Sequence, residues 1–140
     1  MPLDFDDLIA LWVRPLPEGS AAIAAFAQVY TDPVKINGTL MPLAGVVERA
    51  RATQRAFSDL GATLLARADA PDHTTIVFRM RGRHTGPLAT PLGGVAATGK
   101  MCERQIIDLL VLREGRVAEV WMVGDELAAL MQLGVIARAA

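Results

Sequence analysis

The sequence predicts an α+β domain in which helices pack on one face of a curved antiparallel sheet. Three observations lead there. Apolar residues recur at helical spacing through the first part of the chain, as in Phe5, Leu8, Ile9 and Trp12. After Gly61 the pattern changes to long runs that alternate between two faces. Turn signals separate those runs, so neighbouring strands are antiparallel. The pattern allows such a sheet, if strongly curved with helices across its mouth, to form a cone with a pocket inside.

The elements follow in order. A first helix spans residues 5–14, with Asp4 placed to cap it and Pro15-Leu16-Pro17 to end it. A second spans residues 18–30, with Ala22, Ile23, Phe26, Ala27 and Tyr30 as its apolar stripe and Asp32-Pro33 as its stop. Residues 34–37 form a short strand closed by Gly38. A third helix runs over residues 42–59, since Pro42 suits a first turn and Leu43, Val46, Val47, Ala50 and Phe57 share one side. Gly61 is its expected C-terminal cap. The strand meander covers residues 63–123. Its strands are 63–68, 74–85, 101–112 and 117–123, joined by turns at 70–73 and 113–116 and by a loop over 86–99. A short helix over 125–133 ends at Gly134.

Composition bounds the function. The chain has 140 residues, enough for one domain with a sizeable core. Hydrophobic residues make up 52 %, with mean hydropathy +0.33. That excess fits a lined cavity or an oligomer interface, or else reflects the many alanines. A net charge of −1 with mixed signs offers no basic stripe, which argues against nucleic-acid binding. The one cysteine, Cys102, cannot pair within the chain, in keeping with a cytoplasmic location. The acidic start is no signal peptide. The apolar stretch from Ser20 to Thr31 is too short to span a bilayer, so no membrane association is expected. There is no repeat.

Candidate site residues come from alternation. In the strand ending at His84, Ile76, Phe78, Met80, Gly82 and His84 share one face, and Val77, Arg79, Arg81 and Arg83 the other. Three arginines belong in water or at a polar interface, so His84 points inward, either as a buried hydrogen-bonded core residue or as a pocket group. Asp125 follows the last strand and reads both as a helix cap and as a pocket-wall base, sharing parity with Trp121 and Val123. Asp108 alternates with Ile106 and Leu110 and reads as a structural ion-pair member, with Arg104 or Arg79 as partner. Trp121, Phe26, Phe78, Met80 and Tyr30 are large enough to line a pocket or to fill a core; Tyr30 is the only tyrosine. Asn37 offers an amide to a ligand or serves the turn before Gly38. No paired His/Cys spacing suggests a metal site, and Gly93-Gly94 lacks the lysine of a phosphate loop.

An ordered set of short motifs resembles the SnoaL-like polyketide cyclases of the nuclear transport factor 2-like superfamily. It comprises Arg83-His84-Thr85-Gly86-Pro87-Leu88, Thr98-Gly99-Lys100, Ile107-Asp108, Glu114-Gly115-Arg116-Val117, Trp121 followed by Asp125, and Gln132-Leu133-Gly134. The resemblance covers roughly residues 20 to 136. It implies a cystatin-like cone, often dimeric, that closes a polyketide ring by an intramolecular aldol reaction without metal or organic cofactor. It assigns the acid/base role to Asp125, with His84 matching a common motif histidine. The expected activity is proton chemistry on an apolar, carbonyl-bearing small molecule, cyclisation or a related isomerisation, in a homodimer. Two alternatives stand beside it: a non-catalytic binding module on the same cone, and an epoxide-type hydrolase using Asp108, Arg79 and Asp125. The fold alone selects none of them.

Overall fold

The computed structural model describes residues 2–139. In chain order its elements are α1 (Phe5–Val13), α2 (Ser20–Ala27), β1 (Tyr30–Ile36), β2 (Thr39–Met41), α3 (Leu43–Ala56), β3 (Phe57–Ala70), β4 (His73–His84), β5 (Leu88–Thr90), β6 (Gly93–Val95), β7 (Met101–Arg113), β8 (Arg116–Gly124) and α4 (Glu126–Gln132). Six strands form one sheet in the order β2-β1-β8-β7-β4-β3, and β5 pairs with β6 in a separate hairpin. The sheet is curved and mostly antiparallel and does not close into a barrel. The exception is β1, which lies parallel to β8.

The even-numbered residues of β4 and β7 face the helices. Phe5 and Leu8 of α1, Phe26 of α2 and Leu43, Val46 and Ala50 of α3 pack with Ile76, Phe78, Ile106 and Leu110 in one buried core. A second, smaller cluster lies where β7 begins, with Cys102, Ala129 and Leu133 against Phe57 and Leu88. Local chemistry sets the boundaries. Asp4 Oδ1 accepts the Asp7 N–H at 3.0 Å and starts α1. Pro42 offers no capping side chain, so Asp32 reaches across from β1 and accepts the Leu43 N–H at 3.0 Å.

Several boundaries differ from expectation, and the expected loop over 86–99 contains the β5–β6 hairpin. Helix α3 stops at Ala56, not at 59, because Phe57 pairs with His84 and starts β3 directly. Gly61 is therefore not its cap; it sits within β3 opposite Arg81, beyond a bulge where Asp59 takes a φ of 53°. Helix α2 likewise ends at Ala27, and Tyr30 opens β1. The β7–β8 turn at Glu114-Gly115 has positive φ at both residues, the hairpin geometry that a glycine at the second position favours. No helix among the described residues is long and apolar enough to cross a membrane.

Candidate active site

The helix-facing side of β7 carries Cys102, Arg104, Ile106, Asp108 and Leu110. Asp108 lies between Ile76 of β4 and Met122 of β8, its register partners on the two sides. It is 9 % exposed, and its Oδ1 is buried with no hydrogen-bond partner. Removal from water disfavours the carboxylate and pushes its pKa up to about 7, against a smaller opposing pull from the Arg104 guanidinium. The ion pair expected for Asp108 does not form. Arg104 Nη1 instead donates to Glu126 Oε1 at the start of α4. Arg79 lies on the opposite, exposed face of β4. The hydrolytic trio of Asp108, Arg79 and Asp125 is accordingly not assembled.

Tyr30 shares this interior. It is buried, stacks on Phe26 at a centroid distance of 5.7 Å, and accepts the Trp12 indole N–H at 3.0 Å. Burial, assisted by the nearby Asp108 charge, raises its pKa, so the phenol keeps its proton at neutral pH. With its oxygen engaged by Trp12, the phenol hydrogen is free to donate. Trp12 was not singled out from the sequence: its place on an apolar helix stripe signals core, and nothing in the spacing tells which polar atom its N–H meets.

The structure separates the pair of groups on which the expected mechanism rested. His84 is wholly buried at the end of β4. Its Nδ1 accepts the Thr98 N–H at 3.2 Å and lies 3.0 Å from the Thr98 hydroxyl, and its ring sits 5.6 Å from that of Phe57. Asp125 is exposed, and its Oδ1 accepts the Ala128 N–H at 3.0 Å as the cap of α4. The Asp125 N–H donates to the Gln105 carbonyl, and Gln105 faces Arg79. His84 is five residues beyond Arg79, roughly 17 Å along the strand and two strands away. The two groups do not share a substrate-sized space.

Of the expected pocket residues, Phe26, Phe78 and Tyr30 are buried among the core residues and Met80 packs against them. Trp121 does not join them. It pairs with Leu109 on the outer face of the sheet, is 48 % exposed, and donates its indole N–H to Glu119. Regular pairing from Leu110–Val120 to Ile106–Gly124 puts Val120, Met122 and Gly124 inside, and so Trp121 and Val123 outside. Asn37 is also exposed, and its Oδ1 accepts the Met122 N–H at 2.8 Å, joining the β1–β2 turn to β8.

An open cavity of about 140 Å³ lies on the same side of the sheet, toward the start of β7. Met80, Phe57, Leu60, Leu88 and Leu130 give it apolar walls, and Arg81, Arg104 and Glu126 are its charged lining residues. Burial raises the pKa of its Cys102 thiol. Asp108 lies two positions beyond Ile106 from Arg104, deeper along the same face. Among the described residues no group of three or more His, Cys, Asp or Glu side chains could hold a metal ion.

Loss of the Asp125 cap is a local test of these assignments. Asp125→Ala is expected to destabilise the fold by about 1 kcal/mol, read from the urea midpoint, because one N–H of α4 loses its acceptor.

Comparison with known proteins agrees with the architecture. No curated protein matches the sequence. TsrD of Streptomyces laurentii superposes with a TM-score of 0.78 at 20 % identity, over 94 % of this chain and 92 % of its own. IdmH of Streptomyces antibioticus, a candidate polyketide cyclase, superposes with a TM-score of 0.69 at 23 % identity, over 92 % and 96 %. AclR of Streptomyces galilaeus, a candidate hydroxylase, gives 0.71 at 21 % identity, over 96 % and 80 %. At these identities the likeness is one of fold. The profile of the SnoaL-like polyketide cyclases matches residues 17–133, and the chain belongs to that family.

Proposed function

We propose that this protein is a cofactor-independent acid/base enzyme that acts on an apolar, carbonyl-bearing small molecule, with Asp108 in the role that the family resemblance implied for Asp125. Family membership supports a cyclase- or isomerase-like role. The single observation that carries the assignment is a buried, unpartnered carboxyl whose pKa is pushed up to about 7. A group poised there takes and returns protons efficiently at neutral pH.

The chemistry follows from the two polar groups. The Asp108 carboxylate takes a proton from the carbon next to the substrate carbonyl. The Tyr30 hydroxyl donates a hydrogen bond to the oxygen as enolate charge develops there, in an apolar setting where such a bond is strong. The enolate carbon attacks a second carbonyl of the same molecule, forming the new carbon–carbon bond. The resulting alkoxide takes the proton held by Asp108. Apolar side chains that hold the chain folded contribute by proximity. Returning the proton to a different carbon instead gives double-bond isomerisation.

Incubating the protein with 2-tetralone in D2O tests this reading. Enzyme-dependent exchange at the carbons beside the carbonyl is expected to rise with pH through about 7 and then level off, since only the carboxylate is a base. Asp108→Asn should lower that exchange about 100-fold or more, whereas Asp125→Ala should leave it within about threefold of wild type. The reverse ranking of the two variants would return the role to Asp125.

A second reading has its own support. The cavity of about 140 Å³ is lined mostly by apolar side chains and does not include Asp108, as suits a non-catalytic binding module. Binding of 2-tetralone with no exchange above the buffer rate would favour it.

A further inference from the structure

Arg104 stands between two carboxyl groups. It lies on the inner face of β7, in the same alternation as Asp108 and before it in the strand. Its side chain leans across β8 at Gly124, where a Cβ would stand 3.4 Å from its Cδ and 3.5 Å from its Nε. The same Cβ would stand 3.1 Å from Glu126 Oε1. The glycine thus leaves room for the guanidinium and the Glu126 carboxylate to meet, and there Arg104 Nη1 donates to Glu126 Oε1. Gly124 is opposite Ile106, and Met122 is opposite Asp108. The Arg104 side chain therefore reaches the row next to that of Asp108, roughly 7 Å away along the strands.

Glu126 is fixed by both ends of its helix. The Asp125 N–H donates to the Gln105 carbonyl at 2.9 Å just before α4 begins. At the far end the Gln132 side chain accepts the Glu103 N–H at 2.7 Å and donates to the Glu103 carbonyl at 3.0 Å. Helix α4 is strapped along β7 in this way, with its first residue beside Arg104. The two carboxyl groups offer the guanidinium unlike settings. Glu126 is half exposed, so the cation keeps much of its hydration when it pairs there. Asp108 is buried, and its Oδ1 has no donor. Pairing there would satisfy that oxygen but take the cation out of water.

We propose that Glu126 is a positioning residue, which holds the Arg104 guanidinium over Gly124 and so keeps it off the Asp108 carboxyl. The inference rests on the reading of Asp108 as the base of the reaction. A cation in contact would favour the carboxylate and make it a weaker base. Held one row away, Arg104 exerts a pull smaller than the opposing effect of burial. The other groups around Asp108 do not take its place. Ile76 and Met122 flank the carboxyl, and α1, α2 and α3 turn apolar side chains to the same core. Tyr30 is the titratable group that faces it from β1, a phenol that keeps its proton. Near Arg104, the Cys102 thiol lies one inner row outward, and Arg81 of β4 is 3.6 Å from Glu103.

Carbon NMR of the full chain, isotope-labelled at the aspartate carboxyls, tests the proposal, with the Asp108 signal identified by its loss in Asp108→Asn. In wild type that signal is expected to titrate with a midpoint of about 7. Glu126→Gln should lower the midpoint to about 6 or below, as Arg104 turns inward. Arg104→Met should raise it above wild type. The double variant should match Arg104→Met alone, because Glu126 acts through Arg104. Exchange into 2-tetralone by Glu126→Gln should level off at the same lower pH and at a lower plateau, as a weaker base requires. An unmoved midpoint in Glu126→Gln, or a double variant that differs from Arg104→Met, overturns the proposal. Midpoints that move as expected in a protein without exchange support the hold of Glu126 on Arg104 and overturn the catalytic role of Asp108 instead.

Discussion

Asp108→Asn is expected to be more stable than wild type at pH 8 and no more stable at pH 4. Asp108 has its pKa raised from 3.8 to about 7 on folding. Between those values the folded chain keeps a proton that the unfolded chain has lost. Stability of the wild type therefore falls as pH rises through this window and is flat above it. Three pKa units correspond to on the order of 4 kcal/mol. Asparagine removes the charge but buries an amide with no partner, which costs about 1–3 kcal/mol. The net gain at pH 8 is then about 1–3 kcal/mol, and toward pH 4 it reverses to a loss of about 1–3 kcal/mol as the charge contribution disappears. Urea unfolding of both proteins across this range reads the difference directly. A difference that does not change with pH would mean that Asp108 is solvated in the folded chain, and the proton chemistry would lose its base. Greater stability together with lost exchange is the signature of a group kept at the cost of the fold.

Gly86→Ala is expected to be the most damaging small substitution in the chain. Gly86 is buried, and its N–H donates to the Ala56 carbonyl at 3.0 Å, tying the end of β4 to the end of α3. A Cβ there would stand 2.0 Å from the Arg55 carbonyl oxygen and 3.0 Å from its carbon. Both are backbone atoms and cannot swing aside. The two elements must separate, at a cost of about 3 kcal/mol or more. The melting temperature should fall by roughly 10 °C. Gly61→Ala is the control: a Cβ at Gly61 meets nothing within 4 Å, so that variant should melt close to wild type. Equal losses from both would show that strand propensity, and not this close approach, governs the glycines.

Much of the architecture was legible because one face of each long strand is buried. The alternation that put His84, Met80, Phe78 and Ile76 together is the one observed. The end of α3 was not legible, because apolar spacing runs through Phe57 without a break and only the partner strand shows that Phe57 belongs to β3. The site was readable in part. Parity grouped Asp108 with Ile106 and Leu110 and left its partner open, but the choice of Arg104 between two carboxylates depends on where α4 starts, and it went to Glu126. Trp121 was misplaced because inferring its face from an apolar side chain ignores that a sheet face can be apolar and uncovered. Parity counted from Leu110 through the ladder gives the observed answer. For Asp125, spacing carried both a cap and a base, and one hydrogen bond to Ala128 fixes the geometry as a cap.

The contacts around His84 have a broader consequence. The Gly99 N–H donates to the His84 carbonyl and the His84 N–H to the Lys100 carbonyl, each at 2.8 Å, while the imidazole holds Thr98 from fourteen positions away. The excursion between them is thus clamped at its base, and its tip supplies Leu88, Ala89, Thr90 and Pro91 to the cavity wall. A segment anchored in this way behaves as an exchangeable cassette. Its length and composition can diverge among descendants, retuning which molecules fit, while the framework beneath is inherited intact.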